Sequence, residues 1–235
     1  MASVDKRIII GPFASDFLKG GPGSGNHGHA GRPGERGGSG EGGGEAKVDP
    51  DFIKYGIENK AEKDFDRLSF SELEAIDSYT TSLSYRINAK LRANPNEIDA
   101  EAKLIASSID KAAEFEKEIP LYRGLNPRTS PEFDNERVIN FFKENVGKTV
   151  QMAGFQSATI DPNSATLANF SRNNGVVMEI KTKKGLAIAG KSQSKGEKEV
   201  LLGHNWKYKV LGITQKTFKT DNGPFKRTVI RMEVA

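Results

Sequence analysis

The sequence predicts an α+β domain, and three observations lead there. Apolar stripes at helical spacing come first in the folded region, and β-rich runs follow from about Pro120 onward. The last two β-rich runs flank Asp221-Asn222-Gly223-Pro224, a turn sequence that joins them as an antiparallel hairpin. No Gly-x-Gly-x-x-Gly opens a strand–helix unit, so a doubly wound nucleotide-binding sheet is excluded.

The elements follow in order. Ser71 and Glu74 have capping-box spacing, which satisfies free backbone donors at a helix start. Leu73, Ile76, Thr80, Leu83, Ile87 and Leu91 continue the helix on one face. Asn94-Pro95-Asn96 ends it, because proline disfavours helical geometry in the residue before it. Ile98, Ala102, Ile105, Ile109 and Ala113 mark a second amphipathic helix. Both stripes read as core, which leaves the polar Tyr85 and Asn88 as candidates to face a ligand. Further on, 154–159 reads as a short strand, 164–171 as a short helix and 173–175 as a tight turn. Residues 176–181, 208–214 and 228–234 are rich in β-branched side chains with partial alternation, as strands require.

At 235 residues the chain holds one domain of ordinary size with material to spare. The surplus lies in 20–45, which carries about half of the chain's 25 glycines and almost no apolar side chain. Such a segment cannot offset its ordering entropy, so a flexible tether is expected. His27 and His29 read as part of it rather than as a metal site. The expected organisation is a short segment at 1–19, a disordered linker at 20–48 and a folded domain at 49–235.

With 35 basic and 31 acidic residues the net charge is +4, a mild excess that favours an anionic ligand or merely solubility. Specific nucleic-acid binding is not expected. The absence of cysteine excludes disulfides, thiolate catalysis and zinc–thiolate sites, and no metal is expected. No apolar run approaches the roughly 18 residues of a membrane span. Ile8-Ile9-Ile10 is too short for a secretory core, and Pro12 and Asp16 interrupt the stretch after it. Action in the cytoplasm of the producing cell, or specialised delivery, is therefore expected.

Three segments carry chemistry. Glu197 and Glu199 precede the apolar Val200-Leu201-Leu202, and in an extended strand residues i and i+2 point the same way. Two carboxylates on one face repel unless a cation neutralises them, which points to a cationic target or, for the pair taken alone, to a solvated loop edge. Arg123 sits in Leu121-Tyr122-Arg123-Gly124, where its planar fork suits a phosphate or, alternatively, a structural ion pair. Ser157 and Thr159 put two hydroxyls on one side of the strand between them.

Taken in order, Leu-Tyr-Arg-Gly, Phe-x-Ser-x-Thr and Glu-x-Glu-Val-Leu-Leu resemble the Arg-Ser-Glu class of mono-ADP-ribosyltransferases, the group of the clostridial binary toxin enzymes. Residues 71–92, with Tyr79-Thr80, Tyr85, Ile87-Asn88 and Leu91-Arg92, look like that family's amino-terminal helix. The resemblance covers roughly residues 50–235. One departure is Ser157-Ala158-Thr159, where the family has Ser-Thr-Ser.

The resemblance implies helices packed on a two-sheet, mainly antiparallel core, with NAD as substrate in the cleft and no metal. It implies transfer of ADP-ribose to an arginine of a target protein, with nicotinamide released. Glu199 would hold the ribose 2′-hydroxyl of an oxocarbenium-like transition state, and Ser157 would hold Glu199 in place. A nucleophilic Ser157 is the alternative, though no Ser-His-Asp set accompanies it. Arg123 would meet the pyrophosphate, beside Gly124, Tyr85 and Asn88. Phe170 and Arg172 would pack nicotinamide and touch phosphate; otherwise they are core and solvated surface. Glu197 would orient the acceptor guanidinium, with 190–196 as a mobile target-recognition loop. Two other outputs stay open: NAD hydrolysis at the same site, or a non-catalytic phage structural module. The glycine tract resembles segments of phage and prophage morphogenesis proteins, which implies a virion-linked or prophage origin.

Overall fold

A computed structural model of the chain describes residues 7–8, 50, 52–125, 135–171, 175–190, 198–220 and 223–235. The expected linker at 20–48 lies outside them.

Strand β1 (Arg7–Ile8) is followed by a π-helical turn, Phe52–Gly56, that leads into α1 (Ile57–Phe65). Helix α2 (Phe70–Tyr79) starts two residues before the expected point. Its capping box is Ser69 with Glu72, not Ser71 with Glu74. Both pairs have the right spacing, but only Glu72 also gains tertiary partners. It accepts from Ser107 Oγ (2.6 Å) and Lys111 Nζ (2.8 Å) on the facing helix.

The single long helix expected over 71–92 is two helices. Thr80 and Thr81 turn their hydroxyls back onto the carbonyls of Asp77 and Ser78 (2.8 and 2.6 Å), ending α2 before α3 (Leu83–Ala93) begins. Hydroxyl side chains near a helix end compete with the helical ladder in this way. Helix α3 stops before Asn94-Pro95, as expected, and α4 (Ala100–Lys111) is capped by Asp99, which accepts from Ala102 N at 3.0 Å.

The remaining elements are β2 (Ile119–Leu125), α5 (Asn135–Glu144), β3 (Thr149–Met152), β4 (Gln156–Thr159) and α6 (Ala165–Phe170). Then come β5 (Val176–Thr182), β6 (Leu186–Ala187), β7 (Glu199–Leu202), β8 (Lys207–Thr220) and β9 (Gly223–Val234). Helices α1 and α5 have no counterpart in the sequence expectations. In α5, Val138, Ile139, Phe141 and Phe142 give the helical stripe, and Phe142 is fully buried. The expected turns at 173–175 and 221–224 lie partly outside the described residues, though Thr220 and Gly223 close the expected hairpin.

The strands are ordered β1-β3-β8-β9-β5-β2-β4-β7-β6. All pairings are antiparallel except β1–β3 and β5–β9. The two sheets expected are thus hydrogen-bonded into one. Their joint is narrow, because β2 and β4 are in register only at Tyr122 and Thr159. Side chains from both sides of it, Leu121, Met178 and Ile230 on one and Ala158, Val200 and Leu202 on the other, meet in one core. The sheet therefore closes around that core while staying continuous. A second core joins Ile76, Ile87, Leu91 and Ile105 of α2–α4 to Phe155, Leu186 and Leu201. Among the described residues no helix is long and apolar enough to cross a membrane.

Candidate active site

Strand alternation sets the direction of the chemistry. Along β4 and its approach, Ala158 and Ile160 face the first core, while Phe155 faces the helices. Along β7, Val200 and Leu202 face the first core and Leu201 faces the helices. Ser157, Thr159 and Glu199 have the parity of Phe155 and Leu201, so they point to the helical side. Thr159 is registered directly opposite Glu199, and Ser157 opposite Leu201. Thr159 is therefore the nearer hydroxyl position on the ladder, and Ser157 reaches Glu199 only across the diagonal.

On β2 the parity puts Arg123 inward with Leu121 and Leu125, and Tyr122 outward. At the narrow joint its Nη1 donates to the Ser157 carbonyl at 2.6 Å, which ties β2 to β4 beyond their single ladder pair. Its buried Nε has no hydrogen-bond partner. Burial pulls the guanidinium pKa down from its ordinary value, while Tyr79, Tyr208 and Glu199 partly offset that. Among the described residues no carboxylate forms an ion pair with Arg123, so the structural ion pair considered from sequence is not what the described residues show.

The helix break brings Tyr79, at the end of α2, to the same place. Asn88 Nδ2 donates to the Tyr79 hydroxyl (2.8 Å), and Asn88 Oδ1 accepts from Phe155 N (2.8 Å). The Tyr79 ring meets Phe155 edge-on at 5.8 Å. Burial pushes the Tyr79 phenol up to about 12, against the opposing pull of Asn88, the Arg123 charge and a hydrogen bond from Ser157. Tyr79 stays neutral, a hydrogen-bonding group of fixed position.

Helix α6 forms the opposite wall. Ser164 caps it, accepting from Leu167 N at 3.1 Å, and Phe170 at its end lies against Gly124. A Cβ at Gly124 would stand 2.8 Å from Phe170 Cβ, so only glycine lets the wall approach this closely.

These walls line a cleft that opens to solvent. Arg123, Gly124, Ser157, Glu199, Asn88 and Phe170, all expected from sequence, line it together. Tyr85 does not appear in its lining, where Tyr79 stands instead. Glu197 and Arg172, with most of the expected 190–196 loop, lie outside the described residues. Tyr79, Tyr122, Phe155, Thr159, Thr166 and Leu167 line the cleft without having been assigned to it from sequence. A signal existed for Tyr79, whose nine-residue spacing to Asn88 makes sense once a helix break lies between them.

The sequence matches the ADP-ribosyltransferase exoenzyme family over residues 55–232. The chain belongs to that family. A comparison with curated proteins finds no match. Among solved structures the domain is similar to Plx2a, an ADP-ribosyltransferase toxin from Paenibacillus larvae, at 22% identity and a TM-score of 0.64, over 80% of this chain and 98% of that one. It is similar to C2-I, the enzymatic component of the C2-toxin from Clostridium botulinum, at 21% identity and a TM-score of 0.61, over 77% of this chain and 46% of C2-I. BECa, an ADP-ribosylating toxin of C. perfringens solved with NADH, gives 21% identity and a TM-score of 0.59, over 78% of this chain and 48% of BECa. The ADP-ribosyltransferase domain therefore spans about half of the last two proteins. At these identities the likeness shows the fold.

ADP-ribosyltransferase toxins use NAD as substrate. The chemistry of the lining suits such a molecule: a half-buried guanidinium for an anion, aromatic walls for a flat ring, and a carboxylate and hydroxyls for a ribose.

Proposed function

We propose that this ADP-ribosyltransferase moves ADP-ribose from NAD to an arginine side chain of a target protein, with release of nicotinamide. The observation that carries the reading is Arg123: a half-buried cation, with no acid paired to it among the described residues, in one cleft with Glu199. Arginine held this way suits a pyrophosphate, whose oxygens match its planar fork.

The bond between nicotinamide and ribose C1′ breaks, and its electron pair leaves with nicotinamide. Positive charge develops on the ribose, and Glu199 hydrogen-bonds the 2′-hydroxyl more strongly as it does. Such preorganised electrostatics are worth about 3–4 kcal/mol in comparable sites. Thr159 and Ser157 support the carboxylate from the neighbouring strand, and Phe170 packs the leaving ring. The acceptor guanidinium is a poor nucleophile while protonated. Glu197 orients it and takes a proton as the new C1′–N bond forms. The arginine specificity rests on this residue, and the 190–196 loop selects the target.

As an exported or delivered effector the enzyme would act in a host cell, and residues 20–48 would serve as its tether. The test is incubation with labelled NAD in the presence of an arginine analogue and of host lysate. Nicotinamide release with label on guanidinium groups is expected. Nicotinamide release with no labelled acceptor would replace transfer by NAD hydrolysis, and no NAD consumption would overturn both.

A further inference from the structure

The β8–β9 hairpin runs past the strands beside it. β3 is in register with β8 only over 207–209, and β5 with β9 only over 228–233. Among the described residues, 215–220 and 223–227 have no ladder outside the hairpin. One face of this free end lies on α6. Phe218 of the free end joins Leu167 of α6, Tyr122 of β2 and the β5-paired Val229 in one apolar cluster. The Phe218 ring meets Tyr122 edge-on at 6.1 Å and stacks on Phe225 at 5.2 Å.

Arg227 completes the contact. Its guanidinium lies 5.0 Å over the Phe225 ring, and its Nε donates to the Ser171 carbonyl at 2.5 Å. Ser171 is the carboxyl-terminal cap of α6 and is fully buried, with its hydroxyl donated to Leu167 O at 2.8 Å. A six-residue helix cannot sustain itself in water, because its nucleation cost exceeds what so few ladder bonds return. Its last carbonyls also lack helical partners and attract a cation. Arg227 supplies that cation, and among the described residues no acid is paired with it. Phe170, the residue before Ser171, is the one pressed against Gly124 in the cleft.

We infer that Arg227 is a positioning residue: it clamps the carboxyl-terminal end of α6 to the hairpin and so holds the Phe170 wall against the nicotinamide half of NAD. This rests on the proposed use of NAD. The wall contacts substrate before and during reaction alike, so loosening it weakens uniform binding and raises KM while leaving kcat in place. A purely structural loss would lower the active fraction, and with it kcat, at constant KM.

The test uses the full chain with Arg227→Met, which keeps the stem but removes the donor and the charge. Expected are a five- to tenfold rise in KM for NAD, kcat within twofold, and at least tenfold faster amide exchange over 167–171 with 176–182 unchanged. Phe170→Ala should raise KM similarly, and the double variant should rise no further, since both act through one wall. Unchanged exchange in α6 would overturn the clamp whatever the activity. Faster exchange with unchanged KM, or KM effects that multiply in the double variant, would overturn its role in substrate positioning. If the wild-type chain consumes no NAD while Arg227→Met still loosens α6, the clamp stands and the proposed function falls.

Discussion

Thr159 and Glu199 are direct partners across the β4–β7 ladder, and this pairing fixes the direction of the carboxylate. The backbone is pinned on both sides of it. Ile160 N donates to Lys198 O and Ile188 N donates to Glu199 O, each at 3.0 Å. The Cα–Cβ direction of Glu199 is therefore set by strand geometry. In the proposed reaction a charge carried on such an element is worth most, because little reorganisation is needed as the transition state forms.

Glu199→Gln keeps the shape and removes the charge. Nicotinamide release should fall by roughly 10²–10³-fold, with a melting temperature within about 2 °C of wild type because Glu199 is only half-buried. Turnover assays paired with thermal melts check this. Near-normal turnover in a folded variant would remove Glu199 from the reaction.

Glu197→Gln should separate the two halves of the chemistry. Transfer to an arginine analogue should drop at least tenfold, while NAD hydrolysis stays within a few-fold, because in the proposed reaction the residue acts on the acceptor and not on the ribose. Measuring both products in one reaction decides it. An equal loss of both would place Glu197 in the cleavage step.

Much of this was legible in the chain. Strand parity around Arg123, Ser157 and Glu199 depends only on local alternation, and the ordered motifs put all three in one cleft. The helix that became two was misread because Thr80 and Thr81 look like tolerable members of a helical face; their hydroxyls close the helix only where the local backbone lets them reach Asp77 and Ser78. Tyr79 entered the site, and Tyr85 did not, for that reason. The Ser69–Glu72 cap was hidden because its advantage comes from Ser107 and Lys111, which lie 35 and 39 residues further along. Helix α5 was missed although Val138, Ile139, Phe141 and Phe142 give it a helical stripe. Nothing local could show that two sheets would join at Tyr122 and Thr159 alone.

Asn88 links the helices to the cleft floor through two buried hydrogen bonds, to Tyr79 and to Phe155 N. Asn88→Ala leaves a buried backbone donor unpaired and frees the phenol. A cost of about 2–3 kcal/mol and a fall in melting temperature of roughly 5–10 °C are expected, together with a higher KM for NAD. An unchanged melting temperature would show that the Asn88 contacts are dispensable.

His204 should make stability depend on pH. Its Nδ1 accepts from Gly154 N (2.8 Å), so the proton sits on Nε2, which donates to Pro95 O (2.9 Å). A second proton would set one N–H against another at Gly154, in a turn that Arg92 also approaches. Burial pulls the His204 pKa below its ordinary value, against the pull of the Pro95 carbonyl. The unfolded chain therefore takes up a proton near pH 6.5 that the native state refuses. Stability from this group is complete above about pH 6.5 and declines as the pH falls toward the lower folded pKa, where the decline stops. Glu72, held down to about 2 although desolvation opposes this, by hydrogen bonds from Lys111, Ser107 and Ser69, loses its contribution only at more acidic pH, below its ordinary 4.5. The His204 window opens at the higher pH. Thermal melts from pH 7.5 to 5 should show a loss in wild type that is absent in His204→Gln, whose amide both donates and accepts without titrating. Parallel curves for the two proteins would place the acid sensitivity elsewhere.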